Sequence, residues 1–167
     1  MKDQTVKPAI DIVQADLSRQ DHQRSVLELI DAYAKDPMGN GTPLPAEVKQ
    51  ALIPGLQTHP TTLILLAVCA NQAIGIAVCF IGFSTFAARP LINIHDLAVL
   101  PGQRGSGVGR QLLDAVERKA RSMNCCKVTL EVLENNRPAR QLYSAAGYGQ
   151  ATYTEAAGGA LFFVKSL

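Results

Sequence analysis

Residues 93–120 read "NIHDLAVLPGQRGSGVGRQLLDAVERKA", and three kinds of structure follow one another inside that stretch. The apolar run that begins at Ile92 and ends at Leu100 has strand character. Pro101-Gly102 stops it. Leu112, Leu113, Val116 and Ala120 then recur at helical spacing. Between strand and helix lies "QRGSGVGR", residues 103–110, with glycines at alternate positions and arginines at either side. The first turn of a helix carries backbone N–H groups without internal partners and the positive end of the helix dipole. Such a terminus binds phosphate, and glycine lets the backbone come close to it. Arg104 and Arg110 are placed to add charge-assisted hydrogen bonds.

Two common phosphate motifs do not fit. A P-loop needs Gly, four residues, then Gly-Lys-Ser/Thr. Gly102 and Gly107 have that spacing, but Val108 stands where the lysine is required. The dinucleotide fingerprint G-x-G-x-x-G is met by Gly105 and Gly107, yet Arg110 replaces its third glycine. Glu131 ends the next strand where a ribose-binding acid is expected, but about a hundred residues precede the motif, which usually opens its domain. A tight strand–helix turn without a ligand is the plain structural alternative.

Outward from this centre, residues 9–15 alternate weakly and predict a first strand. A helix follows, with Val26, Leu27, Ile30 and Tyr33 on one face, Ser18 and Asp21 as a capping box and Pro37 as its stop. Residues 45–58 predict a second helix with Val48, Leu52 and Leu56 inside. Two apolar runs, "TTLILLAVC" and "AIGIAVCFIGF", are joined by Asn71-Gln72 as a hairpin turn. Beyond the central stretch, "CKVTLEVL" predicts a strand and "RPARQLYSAAG" a helix closed by Gly147. The last residues predict two strands around Gly158-Gly159. This order gives a mixed sheet covered by helices, an α/β (α+β) sandwich in a single domain, residues 1–167.

Composition is that of a soluble globular chain, 47% hydrophobic and 18% charged. The net charge of +2 is too small to point to nucleic acid. Charge is uneven: residues 1–100 carry 7 basic and 9 acidic side chains, residues 101–167 carry 9 and 5. An anionic ligand suits the second part and a cationic one the first, though scattered surface charge accounts for the split equally well. Cys69 and Cys79 sit in strand-like runs, and the adjacent Cys125 and Cys126 suit neither zinc nor an ordinary disulfide. Reduced thiols in the cytoplasm are expected. His22, His59 and His95 show no metal-ligand spacing, so no metal is expected. No secretory h-region opens the chain, and the run from Thr61 to Val68 is too short for a membrane span.

Arg104-x-x-Gly107-x-Gly109 resembles the acyl-CoA signature of the GNAT superfamily, the Gcn5-related N-acetyltransferases. "LEVLENNRPARQLYSAAGY" resembles the strand and helix that follow in that family, through Asn136, Ala139, Leu142, Tyr143 and Gly147-Tyr148. The closing "LFFVKSL" matches as well. Within the family, "FIGFSTFAARPLINIHDLAV" is similar to diamine acetyltransferases and their bacterial relatives. The resemblance implies a mostly antiparallel central sheet of about seven strands flanked by four helices. It also implies a wedge, in which the strand around Leu97–Val99 splays from the strand around Val128–Val132.

The resemblance further implies acetyl-CoA (coenzyme A) as the cofactor. Leu97 and Val99 would pair with its pantetheine arm, and the N–H groups of Arg104, Gly105, Ser106, Gly107, Val108, Gly109 and Arg110 would hold its pyrophosphate. Asn136 would contact the arm, or cap the helix after it, or both. An N–H of Leu97 or Ala98 would stabilise charge on the thioester oxygen. Tyr143 would be the general acid for the leaving thiolate, since an ordinary phenol (pKa about 10) is protonated at neutral pH. The alternative for Tyr143 is packing with a hydrogen bond to the sulfur.

Diamine acetyltransferases have a glutamate-aspartate pair where this chain has His95-Asp96. His95 is the candidate base, directly or through water, or a structural histidine. His95, Asp96 and Asp36 are the candidate acceptor residues, while Glu28 falls on a solvent face. In a regular strand His95 and Asp96 point to opposite sides. The expected activity is N-acetyl transfer to a small-molecule amine: a diamine, a polyamine or an amino-acid-like compound. A protein or peptide acceptor, or an acyl-CoA-binding module without catalysis, is the alternative. Neither nucleic acid nor membrane is an expected partner; the resemblance also allows a homodimer.

Overall fold

A computed structural model of the chain describes residues 9–152, 154, 156 and 158–167. The chain divides after Leu133 into two compact units. In the first, β1 (Ile10–Gln14), α1 (Gln20–Ala34), α2 (Ala46–Thr58), β2 (Thr62–Cys69), β3 (Gln72–Ser84), β4 (Arg89–Val99), α3 (Val108–Ser122) and β5 (Val128–Leu130) follow in order. The strands form one five-stranded sheet in the order β1-β2-β3-β4-β5. Neighbours are antiparallel except β4 and β5, which are parallel.

Strand alternation divides the apolar residues between two layers. Ile64 and Leu66 of β2 and Ile76 and Val78 of β3 pack with Val26 and Leu29 of α1 and Leu56 of α2. The intervening residues Leu63, Leu65, Ala77 and Cys79 are buried on the other face, the side of α3, whose Val108, Leu112, Leu113, Val116 and Ala120 are buried. Burial in that layer pushes the Cys79 thiol up to about 12. Gly75 allows α3 to start close against the sheet. A Cβ there would lie 3.0 Å from Val108 and 3.1 Å from the Ala98 carbonyl.

Several local expectations are corrected. The hairpin turn is Ala70-Asn71, one residue earlier than Asn71-Gln72, and both residues have positive φ (48° and 64°), as a two-residue primed turn requires. The α1 capping box does not form. Asp16 draws in both the N–H and the hydroxyl of Ser18, and Asp21 pairs with Arg19. Val48 is exposed rather than inside, while Leu29 is buried.

The second unit runs from Glu134 and contains α4 (Arg137–Ala145). Gly147, at φ 88°, follows the helix. The two closing strands are replaced, among the described residues, by a single bridge between Thr152 and Gly159, and Leu161–Val164 are exposed. Apolar, β-prone residues make a strand only where a partner ladder forms, and among the described residues the sheet counts five strands where about seven are expected. Tyr153, Glu155 and Ala157 of that expectation lie outside the described residues. No helix among the described residues is long and apolar enough to cross a membrane.

Candidate active site

The site grows from a mismatch in strand length. β5 pairs with β4 only over Ile92–Ile94, opposite Val128–Leu130, whereas β4 continues to Val99. Leu100 donates its N–H to Ile74 on the β3 side at 2.9 Å. Peptide groups alternate along a strand, so Ala98 also faces β3, and those of Leu97 and Val99 face the open edge. Of the two N–H groups expected to stabilise a thioester oxygen, Leu97's faces the open edge and Ala98's belongs to the β3 ladder.

A single 3-10 turn, Pro101–Gln103, carries the chain from this edge into the glycine loop. The Arg104 N–H closes that turn on Pro101 at 3.4 Å, which turns it inward. Gly105 (φ 73°) and Gly107 (φ 88°) both adopt the left-handed conformation, which a side chain disfavours. Gly107 is the N-cap of α3, and the first helical bond runs from Gln111 N–H to the Gly107 carbonyl. The N–H groups of Val108 and Gly109 therefore stand ahead of the helical ladder. A Cβ built on Gly105 or Gly107 would meet no atom within 4 Å, so the space beside both glycines is open. The strand-like edge and the amide-lined turn fit a ligand with an amide-bearing arm and a phosphate. The guanidinium groups are engaged elsewhere. Arg110 pairs with Asp114 at 2.8 Å, and Arg104 binds the Val99 carbonyl at 3.0 Å and Asp36 at 2.7 Å.

β4 also carries a one-residue bulge. Val78 pairs with Asp96 and Cys79 with Ile94, which leaves His95 as the extra residue. The bulge corrects the expectation that His95 and Asp96 point apart. Asp96 shares a face with its partner Val78, on the side of α1 and α2, and the His95 ring packs edge-on against Phe80 with centroids 5.5 Å apart. Phe80 belongs to that same layer and also meets His59, at 4.8 Å. Burial pushes the Asp96 carboxyl up, and His95 partly offsets this. Tyr33 of α1 lies near enough to feel Asp96 and Asp36; burial, then those two charges, push its hydroxyl up. Tyr33 also lines a cleft with Leu29, Ala98, Val99, Pro101 and Arg104. The structure thus brings His95 and Asp96 together. Tyr33, Phe80 and His59 join them, residues whose sequence pattern shows only core packing or no role.

Asp36 lies just beyond α1. Its carboxylate accepts the Met38 N–H at 2.8 Å and the Arg104 ion pair, and these hold it below the usual carboxylate range. Asp31 secures the same loop through Lys35 (2.6 Å), Lys49 (2.9 Å) and the Leu44 N–H (2.9 Å), and these depress its carboxyl strongly. Glu28 is exposed. In the second unit, Asn136 caps α4 by accepting the Ala139 N–H at 3.2 Å. Tyr143 lies on α4, its ring 6.1 Å from that of Tyr148.

Residues 26–148 match the model of the acetyltransferase (GNAT) family. The chain is 32% identical over 97 residues to the uncharacterized N-acetyltransferase YhfO of Bacillus subtilis (strain 168), covering 58% of this chain and 64% of that one. It is 32% identical over 82 residues to thialysine N-epsilon-acetyltransferase of Bos taurus, covering 49% and 48%. The chain thus spans less than two thirds of these relatives' length. Among solved structures, the aminoglycoside N-acetyltransferase AAC(6')-Iy in complex with CoA superposes with a TM-score of 0.73 at 19% identity, covering 96% of this chain and 97% of that one. The open β4 edge, the left-handed glycine turn and the match over residues 26–148 lead to one assignment: the chain belongs to the GNAT family of N-acetyltransferases.

Proposed function

We propose that this protein is an acetyl-CoA-dependent N-acetyltransferase acting on a primary amine of a small molecule. The observation that carries this reading is the β4 edge beyond Ile94, which runs straight into the glycine turn at the start of α3 and lies beside the half-buried Asp96. Leu97 and Val99 would hold the pantetheine arm, and the amides from Gly105 to Arg110 the pyrophosphate, with Asn136 as a further contact. The family match crosses Leu133, which supports reading both units as one catalytic domain.

When bound, acetyl-CoA supplies a reactive acetyl thioester. Asp96 attracts the ammonium form of the acceptor, and His95 beside it takes the proton, so that the amine is neutral when its nitrogen bonds to the acetyl carbon. The Leu97 N–H meets the charge that develops on the carbonyl oxygen. Tyr143 Oη would donate its proton to the departing CoA thiolate. The relatives named for thialysine and aminoglycosides support a small amine as acceptor.

The test is thiol release from acetyl-CoA with diamines, polyamines, lysine analogues, aminoglycosides and short peptides offered in parallel, the product being identified by mass. Acetylation of at least one small amine is expected. Activity on peptides alone would move the assignment to a protein acceptor, and CoA binding without any transfer would make this a binding module.

A further inference from the structure

We propose that Arg104 and Asp36 form a strap that couples the donor side of the site to the acceptor side, making both positioning residues rather than ligands of the amine. This rests on the function proposed above and concerns how its two halves are held in register. The arginine forks between two elements. Its Nε donates to the Val99 carbonyl at 3.0 Å, on the open edge of β4, and its Nη2 reaches Asp36 Oδ2 at 2.7 Å. Gly105 follows Arg104 directly, so a shift of the arginine shifts the start of the glycine loop.

Asp36 is equally tied on its own side. Its Oδ1 accepts the Met38 N–H at 2.8 Å, its N–H donates to the Tyr33 carbonyl at 3.0 Å, and its carbonyl accepts from Gly39 at 2.8 Å and Gly41 at 3.1 Å. Asp36 thus holds the loop after α1 together with Asp31 and the Ala34 carbonyl, and it does so next to Tyr33, which lies near Asp96. A free carboxylate would compete with Asp96 for an amine, but this one is neutralised by Arg104. An exposed ion pair on its own is worth little. Here the Asp36 side chain is only 13% exposed, and the arginine makes a second hydrogen bond to backbone, so the geometry is fixed at both ends. Coupling between two sites is reciprocal: a change on the acceptor loop must appear in donor affinity, and the reverse.

The experiment is a double-mutant cycle on the full chain, read by calorimetric titration of CoA rather than by turnover. Asp36→Asn keeps the acceptor for Met38 and loses the charge; it should weaken CoA binding about fivefold. In an Arg104→Gln background the same change should alter affinity by less than about twofold. Asp36→Glu, which keeps the charge, should recover most of the loss. At saturating acetyl-CoA, Arg104→Gln should raise the KM for the amine about fivefold with kcat little changed. Unaltered CoA affinity in Asp36→Asn, or an equal loss in both backgrounds, overturns the strap. If Asp36→Asn fails to fold, the amine KM of Arg104→Gln decides, and an unchanged value overturns the proposal. A wild-type chain that binds no CoA refutes the proposed function instead.

Discussion

The two sides of the site are built from different material. The donor side, from Leu97 to Arg110, is largely backbone: the β4 edge beyond its pairing with β5, two left-handed glycines and the first amides of α3. The acceptor side is side chains brought together from separate elements: Tyr33 from α1, Phe80 from β3, and His95 and Asp96 from a bulge in β4. A backbone-built surface accepts many substitutions so long as the glycines stay, whereas a side-chain-built one changes its ligand with each residue. Donor chemistry should therefore be robust in this chain and acceptor chemistry easily altered.

The largest expected effect is that of removing the proposed general acid. Tyr143→Phe should lower kcat about a hundredfold or more with acetyl-CoA affinity kept, as loss of a general acid does; steady-state kinetics with CoA titration separate the two quantities. Asp96→Asn should raise the amine KM about tenfold and leave CoA affinity alone, sharpening the division between the sides. The same variant should melt at a higher temperature at neutral pH. Burial raises the Asp96 carboxyl, so the folded chain gives up that proton later than the unfolded chain as pH rises, and above the raised value the buried carboxylate is charged at a cost in stability. Stability then falls as pH rises from the ordinary carboxylate range through the raised value, and asparagine removes that fall.

A smaller effect is expected for Asp31→Asn, about 1–2 kcal/mol of stability with a modest rise in amine KM, because the ion pairs to Lys35 and Lys49 are lost and the Leu44 N–H keeps only a neutral acceptor. The Asp31 carboxyl is depressed, so its contribution is present above the ordinary carboxylate range and is lost as pH falls through the lowered value. Thermal melts against pH check both signs. His95→Gln should lower kcat with CoA affinity kept, because the amine then loses the group that takes its proton. Wild-type kcat in that variant would leave the proton to water.

What could be read from the sequence follows the same division. Glycine at 105 and 107 is a direct signal of left-handed backbone, and the apolar period of Leu112, Leu113, Val116 and Ala120 placed α3 correctly. Asn136 as an N-cap was equally visible, because Asn suits that place for a local reason. The bulge at His95 left no mark, since the alternation of Ile92, Ile94 and Asp96 runs through it unbroken while the faces exchange. Tyr33 fits the buried face of α1 by spacing and gave no sign of its acidic neighbours. Asp36 was visible as a loop carboxylate, but its partner lies 68 residues away, a pairing that only the folded chain creates.

The central claim is that the amide-lined turn at Gly107 holds the donor. The most direct measurement is calorimetric titration of CoA into the wild-type chain and Gly107→Val, with thermal melts to confirm that both are folded. A side chain at φ 88° costs about 1–2 kcal/mol in the turn and projects into its open side. CoA should bind the wild type and bind the folded variant at least about tenfold more weakly. Equal affinity in the two proteins would contradict the account.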